Sequence, residues 1–491
     1  MRVSSGIYHD AEVEVTQEIK IDLWVPSLAA AIALICYLFT ILPEIDFGDA
    51  AEFGIQAKFL GLLHPPGYPL HSVLAKAFTL LPVNPSYATN LFSSVCAALT
   101  VGILSFLIIQ LTGQVVLSLV VPLSFAFSNQ LWPVAVTTEV YALHALTFSF
   151  SIVMLMYWSR SPSRSRAFAT GVSFGASIAG YLANLLLAPA YLLFMWQRRR
   201  PLDVTMILIA ICLICVSILG WTLFRVESAD PPIGTQFLPD SVSGIWNYFS
   251  GKQYETTNWR GTDKFVYASY KNFKAIVGNF GYLGVFLIGC GILWLFRQDK
   301  RLAATLLLIL SINAIYFTNF GGHGSSYHYM MLPAFFLFAL YFAAGVTWIL
   351  ELHPHWILRL ICWAYVGWMC LSVLTSELPA RLTRSQTMEV SNFVDQSFEL
   401  IPEDAIVATR WRYFTALLYH QKVLGRRPDL IIVVNEDATR HYSHGQYRNV
   451  REVIAKYPER PIIVGSAAAK QYREEGYTLI AQSMEWHQVL R

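Results

Sequence analysis

Apolar runs close to 20 residues long recur along the chain, separated by short polar or basic turns. That rhythm predicts membrane-crossing helices, because a run of this length spans a hydrocarbon core about 30 Å thick. The runs fall at roughly 23–43, 89–111, 115–131, 134–157, 203–225, 276–296, 302–320, 329–350 and 357–377. The stretch 167–197 is too long for one crossing and short for two, and Asn184 interrupts it near the middle. Two short helices meeting at a polar point are expected there, for about eleven spans in all. The first run follows an acidic leader (Asp10, Glu12, Glu14, Glu18, Asp22) and exceeds a signal-peptide core, so it reads as an uncleaved span behind a cytoplasmic tail, 1–22.

Beyond about residue 380 the pattern changes to that of a soluble domain. Ala405–Ala408, Leu430–Val434 and Pro461–Val464 read as short buried strands, with helical patterns at 411–424, 446–457 and 467–475. This alternation predicts a small three-layer α/β domain over 381–491. No glycine-rich phosphate loop opens its helices, so no nucleotide is assigned to it. The expected fold is therefore mainly α: a polytopic membrane body, 23–380, carrying a small extracytoplasmic α/β domain.

Charge placement orients the body. Arg160, Arg164 and Arg166 form one basic turn, Arg198–Arg200 a second, and Arg297, Lys300 and Arg301 a third. All three share a side only if 167–197 crosses twice, and basic loops stay cytoplasmic. The N-terminus is then inside and the C-terminal domain outside. The external loops 44–88 and 226–275, the 128–134 turn, Asn184 and the 321–328 turn all gather at the outer face. A multi-pass protein of the cell membrane is expected, or of the endoplasmic reticulum in a eukaryote.

Composition agrees. Hydrophobic residues make up 55% of the 491 and charged residues 14%, where soluble domains carry about 25% charged. A net charge of +3 is too small to indicate nucleic acid. All seven cysteines sit in apolar stretches. Only Cys212 and Cys215 are close, and no second pair completes a zinc pattern.

Candidate chemistry concentrates in the first external loop. Asp49 and Glu52, spaced i,i+3, share a face if a helix starts after Gly48. A partly desolvated carboxylate at a bilayer edge suits a general base; a solvated helix start with Asp49 as its cap is the plainer alternative. After them comes the stiff segment His64-Pro65-Pro66-Gly67-Tyr68-Pro69-Leu70. Its prolines push the preceding residues away from helical ψ. Glu139, at the outer end of a predicted span, is an acid that usually faces a cavity or a partner.

Gly48-Asp49-Ala50-Ala51-Glu52-Phe53, Leu60-Gly61, the proline segment, Asn90-Leu91, Phe127-Ser128, Trp132 and Glu139-Val140-Tyr141-Ala142-Leu143 together resemble one family. It is that of the membrane protein O-mannosyltransferases that modify plexin-type domains in vertebrates, with bacterial relatives of unassigned substrate. The resemblance covers about residues 45–190 and reaches more weakly to Tyr327–Pro333. It implies the C-type glycosyltransferase superfold and transfer of a hexose, mannose first, from a polyprenyl-phosphate donor at the outer face. Asp49 matches the expected base, which deprotonates an acceptor hydroxyl for attack with inversion, and Glu52 then orients substrate hydroxyls. His64 is the first choice to meet the departing phosphate, with Lys58, Arg260, Lys264 and His328 as further outer-face candidates. Tyr68, Glu139, Tyr141 and Asn184 are carried over as donor or substrate contacts.

Two departures stand out. Family members commonly have an Asn-His pair at the break between the fifth and sixth helices, whereas this chain reads Gly180-Tyr181-Leu182-Ala183-Asn184, without the histidine. The C-terminal domain also differs from the helical repeats of vertebrate members. The acceptor thus stays open between protein, glycan and lipid, alongside membrane lipids as surroundings. No cofactor is assigned: a divalent metal at His323 and His328 lacks a third ligand. A transporter is the remaining alternative, disfavoured because the acids cluster at one surface and no matching broken helices occur in two halves.

Overall fold

The computed structural model describes residues 23–62, 64–197, 201–226, 241–250, 252, 261–319, 328–352, 355–434, 450–474 and 478–490. Helix α1 (Trp24–Thr40) packs along α4 (Pro85–Thr112), and the loop joining them folds into α2 (Asp49–Phe59) and α3 (Pro69–Phe78). Asn84 caps α4 by accepting the Ser86 N–H, with Pro85 at its first turn. Next come α5 (Val115–Ala126), the short α6 (Trp132–Ala135) and α7 (Val140–Arg160). The runs 115–131 and 134–157 are thus trimmed where they face each other. Residues 127–139 turn instead, held by the Ser128 hydroxyl on Leu131 N–H and the Trp132 indole on Thr40.

The stretch 167–197 does break. Helix α8 (Arg164–Gly180) stops at Tyr181, a 3₁₀ turn (Leu182–Leu187) holds Asn184, and α9 (Ala188–Gln197) follows. Beyond lie α10 (Pro201–Val226), α11 (Val242–Ser250), α12 (Thr262–Gln298), α13 (Lys300–Asn319), a second 3₁₀ turn (His328–Met331), α14 (Leu332–Leu352) and α15 (Trp356–Ser385). Helix α12 starts well before the expected 276. It kinks at Gly281 (φ 65°), where the Tyr365 hydroxyl donates to the Phe280 carbonyl at 2.5 Å and accepts the Gly284 N–H at 2.8 Å. One side chain thereby satisfies groups that the kink releases.

Among the described residues, seven helices are long and apolar enough to cross a membrane and three apolar helices are shorter, against the eleven spans expected. Helix α14 is central, being buried along nearly its whole length. It crosses α12 with Gly345 and Gly291 at the contact, where a Cβ on either would collide with backbone of the other helix. At the opposite end from the site, Arg160 at the end of α7 feels the charge of Asp299 between α12 and α13, so two of the basic turns share an end.

After α16 (Glu389–Leu400) comes the α/β domain: β1 (Ile406–Thr409), α17 (Trp411–Lys422), β2 (Ile431–Val434), α18 (Val450–Lys456), β3 (Ile462–Gly465), α19 (Ser466–Glu474), β4 (Thr478–Ala481) and β5 (Trp486–Leu490). The strand order is β2-β1-β3-β5-β4, parallel among the first three and antiparallel beyond. The hairpin β4–β5 was not anticipated, because its strands are half exposed and carry polar residues.

This domain is bolted to the loop that joins α1 and α4. Ile45, Ala51 and Ile55 lie in one buried cluster with Val394, Leu417 and Trp486. Glu44 accepts the N–H groups of Val390 (2.9 Å) and Ser391 (2.8 Å) at the start of α16, and Arg384 pairs with Asp46 at 2.6 Å.

Candidate active site

Three residues meet at the start of α2. Gly48, with φ 72°, turns the chain in a conformation that side chains rarely adopt, and the helix begins at Asp49. Asp49 and Glu52 both sit in the first turn, where the helix dipole favours negative charge. Asp49 does not cap the helix; its Oδ1 accepts the Trp411 indole N–H at 2.7 Å instead. Glu52 points inward and is 4% exposed. Its Oε1 accepts the His64 backbone N–H at 2.8 Å, and its Oε2 lies 2.5 Å from His64 Nδ1.

Burial works against an imidazolium, yet the charges of Glu52 and Asp49 and the hydrogen bond to Glu52 outweigh it and push His64 up to about 9. Burial also pushes Glu52 up, with His64 pulling the other way. The pair therefore keeps its proton at neutral pH, which leaves Asp49 as the accessible carboxylate of the group. One ligand atom from each of Asp49, Glu52 and His64 lies within 4.8 Å of the others, so this trio is also where a divalent cation could be held.

The proline segment makes a rigid wall. Tyr68 is left-handed (φ 41°) rather than extended, since its carbonyl accepts the His71 and Ser72 N–H groups that open α3. Gly67 (φ 101°) is glycine for want of room: a Cβ there would strike the Tyr248 hydroxyl of α11. Beneath, His71 is fully buried between Phe53 and Phe92, each 5.4 Å away, and burial drives it down to about 3. It is a neutral core histidine.

Aromatic rings extend from His64 into the bundle. His64 meets Tyr68 (5.7 Å), Tyr68 meets Tyr181 (5.8 Å), Tyr181 meets Tyr141 (5.9 Å), and Tyr141 meets Tyr329 (4.5 Å). Glu139 precedes α7 and interacts electrostatically with Asp49 and His64. Asn184 is fully buried; its Oδ1 lies 3.0 Å from His144 Nε2 and its amide donates to Ser177. The histidine that meets Asn184 thus comes from α7, not from the helix break.

Asp49, Glu52, His64, Tyr68 and Glu139 are therefore neighbours, with Tyr141 and Asn184 one layer deeper. His328 opens a 3₁₀ turn, but its side chain, like His323 and Arg260, lies outside the described residues. Lys264 is exposed on α12. Lys58 stands at the end of α2, where Lys76 Nζ donates to its carbonyl (2.5 Å) and Arg225 to the carbonyls of Leu60 (2.8 Å) and Phe59 (3.1 Å). Trp411, His144, Tyr181 and Tyr248 escaped the sequence reading. His144 had a signal, since i,i+3 spacing puts it on the Tyr141 face of α7; Trp411 had none.

Residues 49–203 match the family described as "Protein O-mannosyl-transferase TMEM260 N-terminal domain". Among curated proteins, the mouse Protein O-mannosyl-transferase TMEM260 is 27% identical over 191 residues, 36% of this chain and 27% of that protein. The Dictyostelium discoideum protein of the same name is 28% identical over 143 residues, 27% of this chain and 16% of that protein. The chain resembles the protein O-mannosyltransferases. The matched part spans about a quarter or less of these relatives' own length. Crystal structures of ArnT from Cupriavidus metallidurans superpose with TM-scores of 0.60 (bound to undecaprenyl phosphate) and 0.61 (apo), each at 12% identity over 94% of this chain and 97% of ArnT. The fold is accordingly that of ArnT. The family match begins at Asp49 itself and contains Glu52, His64, Tyr68, Glu139, Tyr141 and Asn184.

Proposed function

We propose that the protein is a membrane glycosyltransferase that moves a hexose from a polyprenyl-phosphate donor to an acceptor hydroxyl at the extracytoplasmic face. The observation that carries this reading is the Asp49–Glu52–His64 cluster at the mouth of an aromatic-lined helical body. Support comes from the likeness to O-mannosyltransferases and from a fold shared with an enzyme crystallised with undecaprenyl phosphate.

In this reading Asp49 takes the proton from the acceptor hydroxyl. The freed oxygen attacks the anomeric carbon, the bond from that carbon to the phosphate oxygen breaks, and polyprenyl phosphate leaves with the electron pair, inverting the centre. In this reading the protonated His64, held by Glu52, meets the negative charge that grows on the departing phosphate, and positive charge there lowers the barrier. Lys58, Lys76 and Arg225 gather further positive charge at the C-terminal end of α2. Tyr68, Tyr181 and Tyr141 offer faces to the sugar or the first isoprene units. A Ser or Thr hydroxyl of a protein is the acceptor the curated relatives point to.

Purified protein in lipid nanodiscs, given synthetic polyprenyl-phosphate mannose and a Ser/Thr-rich peptide, tests the reading. Asp49→Asn should lose about 10²–10⁴ in turnover, the range a positioned base contributes. Folded Asp49→Asn protein with wild-type turnover would remove Asp49 from this role.

A further inference from the structure

We propose that Trp411 is a positioning residue for Asp49, so that the C-terminal α/β domain completes the site rather than standing over it. The inference rests on Asp49 as the base. The Trp411 indole N–H donates to Asp49 Oδ1 at 2.7 Å, and its ring meets His64 edge-on at 6.3 Å. One side chain from the soluble domain thus touches the carboxylate and the imidazole that the membrane domain brings together.

The indole is itself held firmly. Trp411 is the first residue of α17, directly after β1, which lies between β2 and β3 and is buried at all four positions. It stacks on Phe414 at 5.8 Å. Helix α17 is locked to α2 by the Gly48 N–H on the Arg412 carbonyl (3.2 Å) and by Gly54, where a Cβ would press on the Tyr419 ring. The two helices that carry Asp49 and Trp411 are therefore packed directly against each other.

The chemistry suits the role. An indole N–H donates and cannot accept, so it occupies Oδ1 without competing for the proton that Oδ2 would take. A base fixed in this way is already oriented when substrate arrives, and misplacement by about 1 Å can cost on the order of 10²-fold in rate. The charged groups that interact with Asp49 are Glu52 on its own helix, His64 from the loop and Glu139 before α7. Replacing Trp411 by Phe changes none of them.

The test compares wild type, Trp411→Phe and Asp49→Asn in the nanodisc transfer assay, with folded protein counted by size-exclusion and thermal melting. Trp411→Phe should lower kcat by about 10- to 100-fold with the donor KM within about threefold. Should the Phe variant not fold, benzothienylalanine at position 411 replaces the ring N–H by sulfur at nearly equal volume. Wild-type kcat in either variant, beside an inactive Asp49→Asn, would overturn the positioning role and leave the base in place. An active Asp49→Asn would instead bring down the reading beneath it. A loss of folded yield with unchanged turnover per folded molecule would mark Trp411 as structural only, and counts against the proposal.

Discussion

His144 and Asn184, forty residues apart, form a buried hydrogen bond of 3.0 Å that ties α7 to the break between α8 and α9. Because the Asn184 amide is committed to Ser177, its Oδ1 faces the imidazole and His144 Nε2 is the donor. Tyr181 stacks on the same imidazole at 4.2 Å and 12°. This cluster holds the helix break in shape directly behind the ring that Tyr68 and Tyr141 both touch.

Asn184→Leu should destabilise the protein by about 1–3 kcal/mol, since it strands a buried donor. A double-mutant cycle with His144→Phe, read by melting in detergent, should give a coupling of about 0.5–3 kcal/mol. Strict additivity would show that the two side chains do not depend on each other.

The Glu52–His64 pair predicts a pH dependence. His64 titrates near 6.5 when unfolded and at about 9 in the folded protein. The folded state binds the proton more tightly, so the stabilisation is complete below pH 6.5 and is lost as pH rises through 9. The melting temperature of wild type should exceed that of His64→Gln most at pH 6 and the gap should narrow toward pH 9.5. A gap of constant size across that range would mean no proton is linked to folding at this site.

Topology is open to labelling in intact cells. Arg164→Cys, at the start of α8, should resist an impermeant thiol reagent, and Met484→Cys, whose parent side chain is 93% exposed on the α/β domain, should react. The reverse pattern would invert the assignment of inner and outer faces.

Much of the architecture is written locally. A helix needs only an apolar run of sufficient length, and β1, β2 and β3 are short apolar runs between polar turns, so both kinds of element are legible in order along the chain. The first-loop chemistry is legible for a similar reason, because Asp49, Glu52 and His64 lie within sixteen consecutive residues. Periodicity carries no account of which distant segments touch. Trp411 reaches Asp49 across 362 residues, and His144 reaches Asn184 across 40. Those pairings arise from burying Ile45, Ala51 and Ile55 against the C-terminal domain and from packing α7 on α8. Only the folded chain, by closing those apolar surfaces, decides which donors face the carboxylates.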